Sequence, residues 1–250
     1  MNLALAPGLA ESFMVAFARV GALVMLMPGL GERAIPMRQR LVLALALTLI
    51  VLPIVREATL GTGMAIPRLM GEALLGLSIG LAGRIAMAAL DIAGGLISQS
   101  IGLSMAQVLD PAQGQQGETL SVFLRMLGVG LIFAGDLHHL ALAGIVGSYE
   151  VLPVGTRLPQ GDLAEFVLHL VRDVFAAGVR ISAPFVVFGL VFNVGLGLAA
   201  RLTPQVQLFF LAMPVALIIG LAILMPALGV GMGQFLALVR LAAGLLVPGG

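Results

Sequence analysis

Three groups of residues carry side chains that could do chemistry. Gly76-Leu77-Ser78-Ile79-Gly80 matches the G-x-S-x-G pattern on which serine hydrolases mount their nucleophile. Asp136-Leu137-His138-His139 offers a carboxylate and two imidazoles, the donors of a metal site or a proton relay. Arg19, Glu72, Arg84, Arg125 and Asp136 are ions inside otherwise apolar runs, and in a proton-coupled carrier Glu72 and Asp136, with His138, would be the titrating groups. Each group also has a plainer reading. The serine motif acts only on a strained strand-to-helix turn, and here it lies midway along a long apolar helix. There the serine bonds back to its own helix carbonyls and the glycines pack against a neighbour. Adjacent histidines on a helix point ~100° apart, which argues against joint chelation. Asp136 and His139, three apart, can pair, and a structural or interfacial role is favoured over metal ligation.

The stray ions constrain the architecture more than they suggest a reaction. Each costs ~2.5–3.5 kcal/mol at a bilayer centre if it faces lipid. Arg125 and Asp136 share a helix face but stand ~16 Å apart along it, and Arg84 and Asp91 are two turns apart. Neither is a direct pair, so the partners are expected on other helices, on other subunits or in water.

The elements that must position these residues are helices. Of 250 residues, 60% are hydrophobic and 10% charged, against about 25% charged in a soluble domain. Mean hydropathy is +1.13. This composition excludes a soluble enzyme, a disordered tail and a disulfide scaffold, and there is no cysteine. Net charge is +1, with no lysine, so no nucleic-acid partner is implied. The N-terminal run lacks a basic n-region and carries Glu11 and Arg19, so Phe13–Pro28 reads as a retained helix.

Further apolar runs follow at Leu41–Val55, Leu69–Leu90, Ile92–Leu109, Leu120–Ser148 and an amphipathic Leu163–Val179. From Leu202 to Val239 no residue is charged, far more than the ~20 residues that cross a bilayer. Pro214 and Pro226 interrupt that run, so two helices are expected there. The fold class is all-α, with seven or eight membrane-associated helical segments packed as hairpins. Glycine, at 33 residues, is used at about twice the average rate. Gly71, Gly76, Gly80, Gly83, Gly94, Gly95, Gly102, Gly189, Gly195 and Gly197 fall within helical runs, where close helix packing is expected.

The least apolar stretch is Asp110-Pro111-Ala112-Gln113-Gly114-Gln115-Gln116-Gly117-Glu118, longer than a hairpin connector needs to be. Its plain reading is an ordinary hairpin connector in water, and its functional one a loop lining an aqueous passage as a plug, made movable by Gly114 and Gly117. Its glutamines can bond to a passing backbone without selecting its sequence. Flanking Met105, Leu109 and Leu120 offer a soft apolar seal.

Several segments taken in order resemble one family, the FliR proteins of the bacterial flagellar export apparatus and their counterparts in virulence type III secretion. Arg19 and Pro28 precede Glu32-Arg33-Ala34-Ile35-Pro36, similar to the family's S-E-R-x-I-P turn. Gly102-Leu103-Ser104-Met105-Ala106 with Asp110-Pro111 resembles its M-G-L-S-F-A…D-P stretch, His138-His139-Leu140 its G-H-H-L, and Leu152-Pro153-Val154-Gly155 its L-P-[LI]-G. Ala183-Pro184, Asn193, Gly197, Arg201, Pro204-Gln205, Phe209 and Met213-Pro214 resemble its C-terminal signature. Departures occur at Gly95, Ser100, Met105, Asp136-Leu137 and Ala212.

The resemblance implies a non-enzymatic subunit of a protein-conducting gate in the bacterial inner membrane, within the flagellar basal body, with no catalytic residue, cofactor or metal. It implies assembly with FliP and FliQ, with FlhB outside and FlhA nearby, and passage of unfolded flagellar proteins through the centre. Residues 1–180 would be a FliP-like part containing the plug at 105–119, and 181–250 a FliQ-like hairpin. The plug residues would be Met105, Leu109, Asp110, Pro111, Gln113, Gly114, Gln115, Gln116 and Gly117. Structural or interface roles would fall to Arg19, Arg33, Pro36, Arg84, Arg125, Asp136, Pro184, Asn193, Arg201, Pro204 and Gln205. The virulence counterpart is the alternative, followed by a proton-coupled carrier using Glu72, Asp136 and His138.

Overall fold

A computed structural model of the chain describes residues 6–31, 35–59, 66–103, 119–156, 160–202 and 208–244. Among these, the secondary structure is helical throughout: α1 (Ala6–Leu26), α2 (Met37–Thr59), α3 (Ile66–Ser100), α4 (Thr119–Ala134), α5 (Leu137–Val151), α6 (Gln160–Leu202) and α7 (Leu208–Gly244). The all-α expectation holds. Five of the helices are long and apolar enough to cross a membrane, or six spans if the bent pair α4 and α5 counts as one.

Helix ends follow the local chemistry. Pro28 follows α1 and Gly29 turns to φ 80°, with the Gly31 N–H closing on the Met27 carbonyl at 2.7 Å. Past the end of α3, Gly102 adopts φ 83°, so it is a left-handed turn residue and not a helical packing glycine. Leu69–Leu90 and Ile92–Leu109 are not two segments: α3 runs unbroken through Asp91, because one polar residue interrupts hydropathy but no backbone hydrogen bond.

Leu120–Ser148, expected as one helix, bends by 73° between α4 and α5. The break is Asp136, whose φ of 56° makes it the one non-glycine residue with positive φ among those described. The amphipathic Leu163–Val179 run belongs to a 43-residue helix, α6, that continues to Leu202. The expected split at Pro214 and Pro226 does not occur, since both lie inside the 37-residue α7. A proline removes one hydrogen bond and crowds the preceding turn, but an apolar helix has no better use for its remaining backbone groups than to continue.

The chain forms two compact units. In the first, comprising Met1–Ala86, Ile132–Val171 and Val239–Gly250, the core is Val15, Val20, Leu23 and Val24 of α1, Ala44, Val51 and Val55 of α2, and Ile145 and Tyr149 of α5. In the second, Met87–Leu131 and Arg172–Leu238, the buried set includes Leu90 and Ile97 of α3, Leu124 of α4, Phe185 of α6 and Phe235 of α7.

Glycine packing is partly as expected. A Cβ on Gly76 would overlap the Arg19 carbonyl, and one on Gly80 would sit 2.8 Å from the Leu23 carbonyl. These two positions bring α3 against α1. Gly71, Gly95, Gly195 and Gly197 instead have no neighbour among the described residues where a Cβ would stand.

Candidate functional site

The polar centre of the first unit is built around Arg19, whose side chain is fully buried. Its Nε donates to Glu72 Oε2 at 2.6 Å. Nη1 donates to the Ser148 carbonyl at 2.9 Å and to Ser148 Oγ at 3.3 Å, and Nη2 to the Leu152 carbonyl at 2.9 Å. The guanidinium lies over the Tyr149 ring, 4.0 Å from its centroid. Glu72 is equally engaged, because its second oxygen accepts the Gly155 N–H at 3.2 Å.

The physical reason for this arrangement lies at the end of α5. The Ser148 and Leu152 carbonyls belong to its last turn and C-cap, where the helix carries its partial negative charge; the Ser148 carbonyl already accepts the Leu152 N–H at 3.0 Å. A guanidinium from α1 bonds both carbonyls, as the second donor on that of Ser148, and a carboxylate from α3 neutralises the guanidinium. Gly155, at φ 80°, turns its N–H toward that carboxylate. The Leu152-Pro153-Val154-Gly155 segment therefore supplies one acceptor and one donor to the ion pair.

A second ion pair joins α3 to α4 in the other unit. Asp91 Oδ1 accepts from Arg125 Nη2 at 2.6 Å and Nε at 3.1 Å, and Ser121 Oγ donates to the Asp91 carbonyl at 3.2 Å. This pair is wetter, with side chains 41% and 30% exposed. The expectation that stray ions find partners on other helices holds for Arg19, Glu72 and Arg125. Arg84 is exposed on α3, and no described residue pairs with it.

The other sequence-derived residues scatter. Pro36 is exposed, and its carbonyl accepts from the N–H groups of Gln39 and Arg40 where α2 begins. Pro184 lines an open-sided cleft of about 350 Å³ with Arg180, Pro226 and Gln234. Asn193 is exposed, and its amide donates to the Gly189 carbonyl of its own helix at 2.8 Å. Arg201 is exposed in the last turn of α6. Arg33, Pro204, Gln205 and the plug residues Met105, Leu109, Asp110, Pro111, Gln113, Gly114, Gln115, Gln116 and Gly117 lie outside the described residues.

Sequence reasoning noted Glu72 but did not join it to Arg19, and it passed over Ser148, Tyr149 and Ser121. The available signal was charge balance, since the buried cation of α1 needs an anion and α3 carries one.

The hydrolase motif takes its plain form. Ser78 Oγ donates to the Leu74 carbonyl at 2.7 Å, four residues back on the same helix, while Gly76 and Gly80 pack on α1. At the α4–α5 corner, Asp136 and His139 pair at 3.5 Å as expected. The expectation that His138 and His139 diverge is overturned, for their ring centroids stand 4.0 Å apart. The 100° rule describes where Cβ atoms point, and in the first turn after a break the imidazoles are free to swing together.

Both ion pairs are holding devices. Fixed donors and acceptors occupy Arg19 and Glu72, which weighs against a carrier built on Glu72.

Comparison with known proteins fits such a frame. The family described as Bacterial export proteins, family 1, matches residues 10–242. The chain belongs to that family. The matched residues span nearly the whole chain and include the positions of both ion pairs. The chain is 43% identical over 216 residues to the flagellar biosynthetic protein FliR of Caulobacter vibrioides, covering 83% of this chain and 84% of that protein. It is 29% identical over 224 residues to the FliR protein of Bacillus subtilis, covering 88% and 86%. Yop proteins translocation protein T of Yersinia pestis is 27% identical over 146 residues, covering 58% of this chain and 56% of that protein.

Proposed function

We propose that this chain is the FliR-type subunit of the flagellar type III protein export gate. In this reading it assembles with FliP and FliQ relatives in the bacterial inner membrane, contacts FlhB and FlhA, and helps form the channel that passes unfolded flagellar proteins. It works as a conduit and not as a catalyst. Residues 1–180 act as the FliP-like part and 181–250 as the FliQ-like part, a division that falls inside α6.

The observation that carries the assembled state is the length of α7. Its apolar stretch Ala212–Ala242 is 31 residues with a mean hydropathy of 2.4, about 46 Å of helix. A ~30 Å hydrocarbon core hides only about 39 Å of a helix tilted by ~40°. Large apolar side chains are exposed along this whole stretch, among them Ile218, Met225, Val230 and Leu241. Lipid alone does not cover that length, which supports cover by sister subunits. Agreement with FliR proteins, fuller and closer than with the Yersinia translocation protein, favours the flagellar system over the virulence one.

The plug reading of 105–119 rests on composition and on its place between the turn that ends α3 and the start of α4. Deleting Gln113–Gly117 in the assembled gate is expected to raise ion leakage and disturb secretion. An unchanged membrane potential with normal secretion would sink the plug.

The function itself is tested by deleting the gene in its own host. Secretion of hook and filament proteins should stop, and a plasmid copy should restore it. Normal flagella in the deletion strain would end the flagellar reading, and loss of virulence-protein secretion instead would establish the alternative. Met225→Arg should reduce recovery of FliP and FliQ relatives with this chain. Full recovery would show that lipid, not protein, covers that face.

A further inference from the structure

We infer that Asp136, His138 and His139 form a binding site for a divalent transition-metal ion of the zinc class. This inference stands independently of the export reading. One carboxylate oxygen and one nitrogen from each imidazole lie within 4.8 Å of one another. Tetrahedral zinc holds such donors at about 2.0–2.2 Å, so small side-chain rotations bring all three onto one ion.

The backbone produces this convergence. Asp136 stands outside α5 in a left-handed conformation, its N–H donating to the Phe133 carbonyl at 3.3 Å and its own carbonyl accepting the His139 N–H at 3.0 Å. That turn lifts the Asp136 carboxylate over the first turn of α5, where the two imidazoles sit. An aspartate at this position ordinarily uses its side chain to cap the helix, and here it makes no such bond. The carboxylate is thus free of its usual structural employment and lies 3.5 Å from His139 Nδ1.

His138 supplies an independent observation. Its Nδ1 is buried without a hydrogen-bond partner, and its described contacts are ring against ring, with Phe133 at 5.1 Å and His139 at 4.0 Å between centroids. A buried imidazole nitrogen without a partner is costly, and a metal or an ordered water relieves it. Two imidazoles and one carboxylate leave a fourth position open, to water or to a donor from another subunit. A bound ion would pin the left-handed residue to the first turn of α5 and so rigidify the corner.

The test uses the full chain, purified in mild detergent on a tag without histidines and titrated with Co²⁺ and Zn²⁺. The expected result is one ion per chain, visible as cobalt d–d absorption that Zn²⁺ displaces and Mg²⁺ does not. His138→Ala, His139→Ala and Asp136→Asn should each weaken binding at least about tenfold, the smaller end of what losing even an outer-shell partner costs. His169→Ala removes the chain's remaining histidine, which pairs with Glu165 at 3.6 Å, and should leave binding intact. Absence of stoichiometric uptake by the unaltered chain would overturn the site. So would uptake that survives in the double variant His138→Ala/His139→Ala, or uptake that His169→Ala abolishes.

Discussion

The two ion pairs on α3 solve the same problem in different surroundings. Glu72 meets Arg19 in a dry setting, 2% and 0% exposed, and the two groups together use five hydrogen bonds and an aromatic face. Asp91 meets Arg125 where both are partly exposed. Without water a charge must have its bonding capacity filled by fixed groups, whereas a wetted pair can leave some to solvent. The dry pair therefore recruits the end of α5 and the turn after it, whereas Ser121 beside the wet pair bonds the Asp91 main-chain carbonyl and not its carboxylate.

The comparison predicts an ordered set of failures. Arg19→Ala or Glu72→Ala leaves one buried ion without its partner and should cost about 3–5 kcal/mol, enough to remove the chain from membranes. Immunoblots of membrane fractions and swimming assays would report it, and wild-type levels in either variant would contradict a dry pair. The double variant Arg19→Met/Glu72→Met should recover part of that level and no more. It removes the unpaired charge but still takes the guanidinium from the Leu152 carbonyl, while the Ser148 carbonyl keeps the Leu152 N–H. Full recovery would mean that the α5 cap contributes nothing.

Gly76→Ala should come next, at about 1–3 kcal/mol, because its methyl group meets the Arg19 backbone. Denaturation in detergent would measure it, and a neutral outcome would show that α1 and α3 can part without loss. Asp91→Asn should cost only about 0–1 kcal/mol and leave export measurable. If Asp91→Asn proved as damaging as Glu72→Ala, the contrast between wet and dry would fail. Ser78→Ala should be the mildest, within about 0.5 kcal/mol. Fluorophosphonate labelling of Ser78 in the unaltered chain would revive the hydrolase reading.

The partition between legible and hidden features follows the range of the forces involved. The helices of the apolar runs and the back-bonded Ser78 were readable because each depends on neighbours a few residues away; the four-residue spacing of Gly76 and Gly80 showed a packing face but not that α1 fills it. The unbroken α7 was misjudged because proline weakens a helix locally, while continuity in an apolar setting is decided by the lack of anything else for the backbone to bond. The bend at Asp136 was missed for the converse reason: no proline marks it, and its left-handed backbone is compatible with aspartate without being required by it. In the candidate site, Arg19, Glu72 and Arg125 were singled out correctly as ions needing partners on other helices, but those partners were not named, whereas the local pair of Asp136 with His139 was.

Composition and periodicity alone fixed an all-helical, membrane-suited chain whose interior ions could not face lipid, because hydropathy sums along the chain and needs no coordinates. Only the tertiary structure decided that Arg19 meets an acid 53 residues away and a carbonyl 129 residues away. It alone brought the imidazoles of His138 and His139 together. Hydrogen bonds and ion pairs act over a few ångströms, and which groups come that close is settled by how helices dock, not by their order in the chain.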